Sequence, residues 1–582
     1  MTRPSTQALL GDDISLEQTL TTELRADPDQ DMSDLYNPIR STGYIVVLTL
    51  IVGALQLAWS TEFSEATPFL LSLGVSKHAL ALIWLAGPLS GTFGQPIVGL
   101  LSDKCNLDWG RRRPFIIGGC LATVLSLLYL SHSANIVGWF LPNRDQDTVN
   151  RYTVPFAAAG IYILDFSIAV IQASCRALIV DVVPSAQQQI ANAWAARMIG
   201  AFNIVGFWIG TWDLAALFPW LGSSQFKVLS WLVATIMLVL TAFSCWAIKE
   251  RSPRYDLAIR MERKKQEKRL KDMGIDEENA TVLTVVKSFF WQVLRSIARL
   301  PRQVKIVCYA EFFAWIGYFP MLFYTSTYVG ELYLYENGYN NPLSLPADER
   351  QRLLDEGVRR GTTALLAHAV VTLAVDLLLP YLVDRLRDNE WINMRRLWIY
   401  SHVIFIVATL STFFITTSVQ AIVLFAFLGI PWGCAVWIPF ALISEEISRI
   451  KDIKAVQIYD QYRKQSVPSS AESENTLVTP ETSFYLSKVM VAKYDHVVYD
   501  SGILLAIHNV FVSAPQMLSS LGSSFLFKLL QNSDKNSFDD SLGWIFRVGG
   551  IIGIGALVLS IQVKTNAQLY KEDKAEALTM PE

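Results

Sequence analysis

Apolar runs of roughly 20 residues recur along this chain, separated by short polar connections, and that pattern predicts membrane-spanning helices. Twelve runs are expected, at roughly 43–73, 79–101, 115–134, 152–182, 187–212, 226–248, 304–332, 361–386, 394–417, 419–447, 501–528 and 542–563. The break at 249–303 contains RMERKKQEKRLKD, too polar for a bilayer, and it divides the runs six and six. The expected organisation is a polar tail over 1–42, a six-helix unit over 43–248, a basic linker over 249–303, a second six-helix unit over 304–563, and a tail over 564–582. A long loop, 448–500, interrupts the second unit, and its polar stretch 455–485, like 1–42, is expected to be disordered.

Composition agrees with this pattern. The 582 residues are 52% hydrophobic and 17% charged, where a soluble chain carries about 25% charged residues. Residues 1–42 hold no apolar core of a signal peptide, so the first span is expected to direct insertion. Lysine and arginine concentrate after the second run (Lys104, Arg111, Arg112, Arg113), in the linker, and after the eighth run (Arg385, Arg387, Arg395, Arg396). The positive-inside bias therefore places both termini and the linker in the cytoplasm. A net charge of −3 is uninformative about partners, and no nucleic-acid partner is expected. Six scattered cysteines without C-x-x-C spacing read as packing residues, and His368, His402 and His508 have no metal-ligand spacing. No G-x-x-x-x-G-K-[ST] and no nucleophile–base constellation occurs, so neither a nucleotide-driven pump nor an enzyme is expected, and no cofactor.

Several polar residues sit where a bilayer disfavours them. The fourth run, IYILDFSIAVIQASCRALIVDVVP, carries Asp165 near its middle, then Arg176 and Asp181. An ionisable group inside a span costs at least a few kcal/mol and calls for a function. Arg176 lies eleven residues after Asp165, on the same helix face but about 16 Å along the axis, too far to pair with it. Asp165 is expected to face a cavity, where a carboxyl group can exchange a proton between two states; an Asp that only fixes packing is the competing reading. In the first run, WSTEFSEATPF places Glu62 and Glu65 three apart on one helix, either coupling carboxylates or partners for Arg197. Asp376 is a further buried charge, with helix packing as an equal reading. The connection GLLSDKCNLDWGRRRPF offers a polar latch: Gly99 for close helix approach, and Asp103 to pair with one of Arg111, Arg112 and Arg113 or to cap a helix N-terminus; arginines that only fix topology are the competing reading.

These segments carry a resemblance. The latch resembles the major facilitator signature between the second and third spans. IWLAGPLSGTFGQPIVGLLSD, WGRRRPF and ILDFSIAVIQASCRALIVDVVP are similar to the sucrose–proton symporters of plants, and AEFFAWIGYFPMLFYTSTYVGE, LGIPWGCAVWIPFALISEE and HNVFVSAPQML continue the match over nearly all spans. The long loop between the tenth and eleventh spans resembles fungal α-glucoside symporters, within the glycoside-pentoside-hexuronide cation symporters. The resemblance implies an all-α membrane protein of twelve transmembrane helices in the major facilitator fold, two six-helix bundles with a substrate site between them. It further implies a disaccharide substrate (sucrose, maltose or a related α-glucoside), proton coupling through Asp165, and importance for Arg176. Glu62 matches a glutamate of the animal relatives.

Sugars also stack their C–H faces on aromatic rings, so Trp59, Trp84 and Trp432 are expected at the substrate, with Phe63, Trp194 and Trp315 as further candidates. The chain departs from the plant pattern at Arg197, and in FYTSTYVGEL, where Tyr324, Ser326 and Gly330 replace two aspartates and an arginine and leave Glu331. The plant histidine before the second span falls near Lys77 and His78, one residue out of register. The expected protein is a monomeric disaccharide–proton symporter of the plasma membrane, held in the lipid bilayer; a membrane receptor that senses sugar without transporting it is the alternative.

Overall fold

The computed structural model describes residues 38–141, 145–251, 282–339, 346–386, 391–466, 501–531 and 538–579, and the chain is helical throughout these segments. Ser41 caps the first helix by accepting the Tyr44 amide at 3.3 Å, and α1 then runs from Thr42 to Ser72 with a π-helical turn at Glu62–Ala66. The second expected span is a succession, α2, of Lys77–Ile83, Ala86–Leu89, a π turn at Ser90–Gly94, and Gln95–Asp103. Gly87, Pro88, Gly91, Gly94 and Pro96 explain its breaks, since proline removes an amide donor and glycine weakens helix. Then follow α3 (Arg113–Phe140), α4 (Gln146–Val182), α5 (Ser185–Gly210) and α6 (Gln225–Ala247). A helix at Val282–Ile297 occupies the second part of the expected linker; the run RMERKKQEKRLKD lies outside the described residues. The chain continues with α7 (Arg302–Glu336), α8 (Ala347–Arg385), α9 (Met394–Ser411), α10 (Ser418–Ser466), α11 (Ser501–Leu530) and α12 (Ser541–Gln562), and a short helix, Asn566–Thr579, closes it.

Among the described residues, ten helices are long and apolar enough to cross a membrane. The expected second and fifth spans are the two outside that set. No uninterrupted α-helical piece of α2 exceeds the 9 residues of Gln95–Asp103, and α5 is diluted by Gln187, Gln188, Gln189, Asn192, Arg197 and Asn203. The helix of the tenth span also runs past its expected end at 447 to Ser466, so part of the segment read as disordered is helical; 467–485 lie outside the described residues.

Packing follows the sequence halves. In the first, α3 lies on α4, α5 and α6 on α1, and α6 on α3; in the second, α7 lies on α12, α8, α11 and α10, α8 on α10, and α9 on α12 and α10. The α7–α8 crossing is close because both helices present small residues. A Cβ added at Gly361 would come within 2.1 Å of the Ser326 carbonyl oxygen, and one at Gly330 within 2.8 Å of that of Gly357. The halves meet along α5 against α8, the start of α2 against α11, and the outer part of α1 against α7.

Candidate functional site

Asp165, in the middle of α4, is only 1% exposed, and neither carboxylate oxygen has a hydrogen-bond partner. The interrupted part of α2 passes beside it: a Cβ at Gly87 would lie 3.7 Å from Asp165 Oδ1. Glu62 is also 1% exposed, with both oxygens unpartnered, and its charge lies close enough to act on Asp165. Glu65 is buried too but answers to Asp355 and Arg359 of α8. The two glutamates therefore serve different neighbours, because the π turn that holds them widens the helix and spreads residues three apart. The pairing with Arg197 considered for them does not occur; Arg197 is exposed and lies over the Trp194 ring at 5.0 Å.

Arg176 is on the face of α4 that carries Asp165, yet it is exposed. Gln172, between them, accepts a hydrogen bond from Gln95 of α2 at 2.7 Å.

The aromatic candidates form two groups. In one, Trp59 stacks on Phe63 at 5.4 Å, Phe63 meets Phe323 edge-on at 5.0 Å, and the fully buried Trp84 lies 4.4 Å from Phe323. In the other, Trp315 and Trp432 meet at 5.5 Å, with Tyr318 5.7 Å from Trp432. Asp376 keeps one oxygen unpartnered, and a Cβ at Gly433 would lie 3.1 Å from it. The second group contains a carboxylate that the sequence reading did not single out. Glu311 is 1% exposed and accepts the Trp315 indole N–H at 2.8 Å.

The arginine loop after α2 is a network within the first half. Asp103 pairs with Arg112 at 2.5 Å and lies 4.0 Å from Arg111. Asp181, at the end of α4, takes Arg111 at 2.8 and 3.0 Å and Arg112 at 2.9 Å. Glu250 accepts the backbone amides of Arg111 and Arg112 at 2.8 Å and that of Arg113 at 3.1 Å. Burial pushes the Glu250 carboxyl up, against the pull of these amide donors. Arg113 instead reaches the Trp109 carbonyl at 3.1 Å. The glycine that permits close approach here is Gly110, at φ +130°, where a Cβ would come within 2.2 Å of Glu250. Gly99, expected in that role, would have open space around a Cβ. Asp181 and Glu250 complete a polar network of which only Asp103 and the arginines were expected.

At the other end, polar bonds join the halves. Lys77 Nζ reaches Glu331 at 2.8 Å and Asp539 at 3.0 Å. Ser524 bonds His78 at 2.7 Å and Ser520 the Ala81 carbonyl at 2.7 Å. Thr67 donates to the Phe323 carbonyl at 2.9 Å and Ser326 to that of Ser64 at 2.8 Å. The halves are thus joined at the Lys77 end. No group of three metal-ligating side chains is gathered among the described residues.

A twelve-run sequence, an interrupted helix beside a buried carboxylate, and two halves bonded at one end are features of a membrane carrier. Residues 44–452 match the Major Facilitator Superfamily, and the chain belongs to that superfamily, multi-pass membrane transporters and not enzymes. It is 31% identical to the general alpha-glucoside permease of Schizosaccharomyces pombe, over 88% of this chain and 92% of that protein. It is 26% identical to a sucrose transport protein of Oryza sativa subsp. japonica, over 70% of this chain and 76% of that protein. A solved D-xylose-proton symporter superposes with a TM-score of 0.51 at 13% identity, covering 91% of this chain and 99% of its own, a likeness of fold.

Proposed function

We propose that the chain is a proton-coupled symporter that imports a disaccharide, sucrose, maltose or a related α-glucoside, by alternating access. The observation that carries the reading is Asp165, buried at mid-span with both oxygens unpartnered beside Gly87 and Glu62. A buried acceptor without a partner is costly, and a proton or a sugar hydroxyl satisfies it. The similarity to a permease named for alpha-glucosides and to a sucrose transport protein supports the substrate class.

On this reading all twelve runs cross the membrane, with α2 and α5 lining the cavity, which explains why they are the broken and the polar ones. The two bundles are 43–248 and 304–563. The Arg111 end and both termini face the cytoplasm, and the Lys77 end faces outward in the plasma membrane. The protein works as a monomer. Asp165 binds a proton and sugar when the Lys77 end is open and releases both when the Arg111 end is open. Glu62 assists proton coupling, while Arg176, Trp59, Trp84 and Trp432 contact or steer the sugar. The test is uptake of a panel of labelled sugars at two external pH values, in a yeast unable to take up disaccharides. Accumulation of an α-glucoside that rises with external acidity is the expected result; sugar binding without uptake would make the chain a receptor instead.

A further inference from the structure

We propose that Glu311 is a substrate-hydroxyl acceptor, the centre of a sugar subsite in the second half built with Tyr318, His368 and Trp432. The inference rests on the transport reading above and deepens it. On α7, residues 311, 315 and 318 follow i, i+4, i+7 spacing and share a face. One oxygen of Glu311 is held by the Trp315 indole at 2.8 Å; the other, Oε1, is buried without a partner. Two more buried polar atoms have no partner, the Tyr318 hydroxyl and His368 Nε2, both on rings that neighbour the Trp432 indole. Tyr318 lies 5.7 Å and His368 6.5 Å from the Trp432 ring, and Trp315 meets it at 5.5 Å. His368 is fixed by its other nitrogen, 3.1 Å from the Phe425 carbonyl.

Glu311 and His368 are therefore each held by one atom and leave the other to a ligand, and the Tyr318 hydroxyl is left to one as well. Trp315 and Trp432 are themselves only half-buried, so open space adjoins them. A carboxyl group, a phenol and an imidazole around indole faces match a pyranose ring, which offers several hydroxyls at its edge and C–H groups on its face. One carboxyl group, a phenol and an imidazole supply fewer oxygen ligands than a hard metal cation takes. A site of this kind discriminates strongly, because a substrate lacking the bonded hydroxyl leaves the protein acceptor unpaired.

The test compares uptake of a parent α-glucoside and its mono-deoxy analogues by the wild type, Glu311→Gln and Tyr318→Phe. Gln preserves the bond to Trp315 and replaces the second carboxyl oxygen with an amide NH2, which only donates. In the wild type, one deoxy position should lower kcat/KM about tenfold or more relative to the parent. Glu311→Gln should lose about as much on the parent and no longer distinguish that analogue, with an unchanged pH profile of uptake. Tyr318→Phe should raise KM with kcat kept, which decides the matter if Glu311→Gln fails to fold. Wild-type uptake with deoxy discrimination intact in Glu311→Gln, or an unchanged KM in Tyr318→Phe, overturns the subsite and leaves the transport reading standing. A wild type that neither takes up nor binds any α-glucoside overturns both.

Discussion

Lys77 Nζ lies 2.8 Å from the Glu331 carboxylate, joining α2 to α7 across 254 residues of sequence, and Asp539 completes the clamp from the loop before α12. Lys77 keeps 6% side-chain exposure, Glu331 28% and Asp539 23%. Removing the ammonium leaves Glu331 and Asp539 facing each other without their shared cation, while Ser541 still donates to Asp539. A fully buried case costs about 3–5 kcal/mol, and the partial exposure reduces this to about 1–3. Lys77→Met should therefore shift the balance of the two access states roughly ten- to hundredfold away from closure at this end. Spin labels at Ser72→Cys and Asn337→Cys, in a Cys105→Ser background, would read the change as a population at longer distance. An unaltered distance distribution would assign the seal to the serine and threonine bonds instead.

The pH response of this clamp follows from Asp539. Burial alone would push its carboxyl up, but the Lys77 ammonium and hydrogen bonds from Lys77 and Ser541 hold it below the usual carboxylate range. A depressed value in the closed state means that its contribution is complete above the ordinary aspartate value of about 3.9. The contribution is lost only as pH falls through the lowered value. The difference in closed population between wild type and Asp539→Asn should be flat between about pH 5 and 8, and shrink below about pH 4. A difference that changes between pH 5 and 7 would show another group titrating in the clamp.

Much of this organisation is legible in the apolar runs, because a span must be long and apolar to exist at all. Ten of the expected runs meet that criterion as helices. The signals that α2 is broken were present as Gly87, Pro88 and Gly94, whereas nothing in EFSEA reports that its backbone adopts π hydrogen bonding. Asp165 and Glu311 carry the same signal, a carboxylate inside an apolar run, so Glu311 was accessible to the same argument. The clamp was not: Lys77 and Glu331 meet only through the packing of the two halves, and their spacing has no period. Asp181 was visible as a charge, but its role depends on the arginine loop folding back over the end of α4.

That loop makes a stability prediction. Arg111 and Arg112 are buried and share Asp181, and Asp103 also pairs with both. Asp181→Asn would leave buried guanidinium charge undercompensated and should cost about 3 kcal/mol or more. Arg113→Ala, outside the carboxylate pairs, should stay within about 0.5 kcal/mol. Thermal unfolding of the purified variants ranks them. Asp103→Asn, with Asp181 still in place, should slow transport more than it weakens equilibrium sugar binding; equal losses in both would end the idea of a latch acting on exchange.

The remaining prediction separates the two unpartnered carboxylates at mid-span. Asp165 lies against the interrupted segment of α2, and Glu62 sits in the π turn of α1, each buried and without a hydrogen bond. Only the group whose proton travels with the sugar can draw on the gradient, which supplies about 2.3 kcal/mol per charge per 100 mV. Asp165→Asn keeps the shape and most hydrogen bonding but cannot titrate. It should abolish uphill uptake and the sugar-evoked inward current while the protein still reaches the membrane and retains some binding or exchange. Glu62→Gln should lower the rate yet keep accumulation above the external concentration. Accumulation ratios and currents measured side by side decide between them: if Asp165→Asn still concentrates sugar in a pH-dependent way and Glu62→Gln does not, the coupling carboxylate is Glu62.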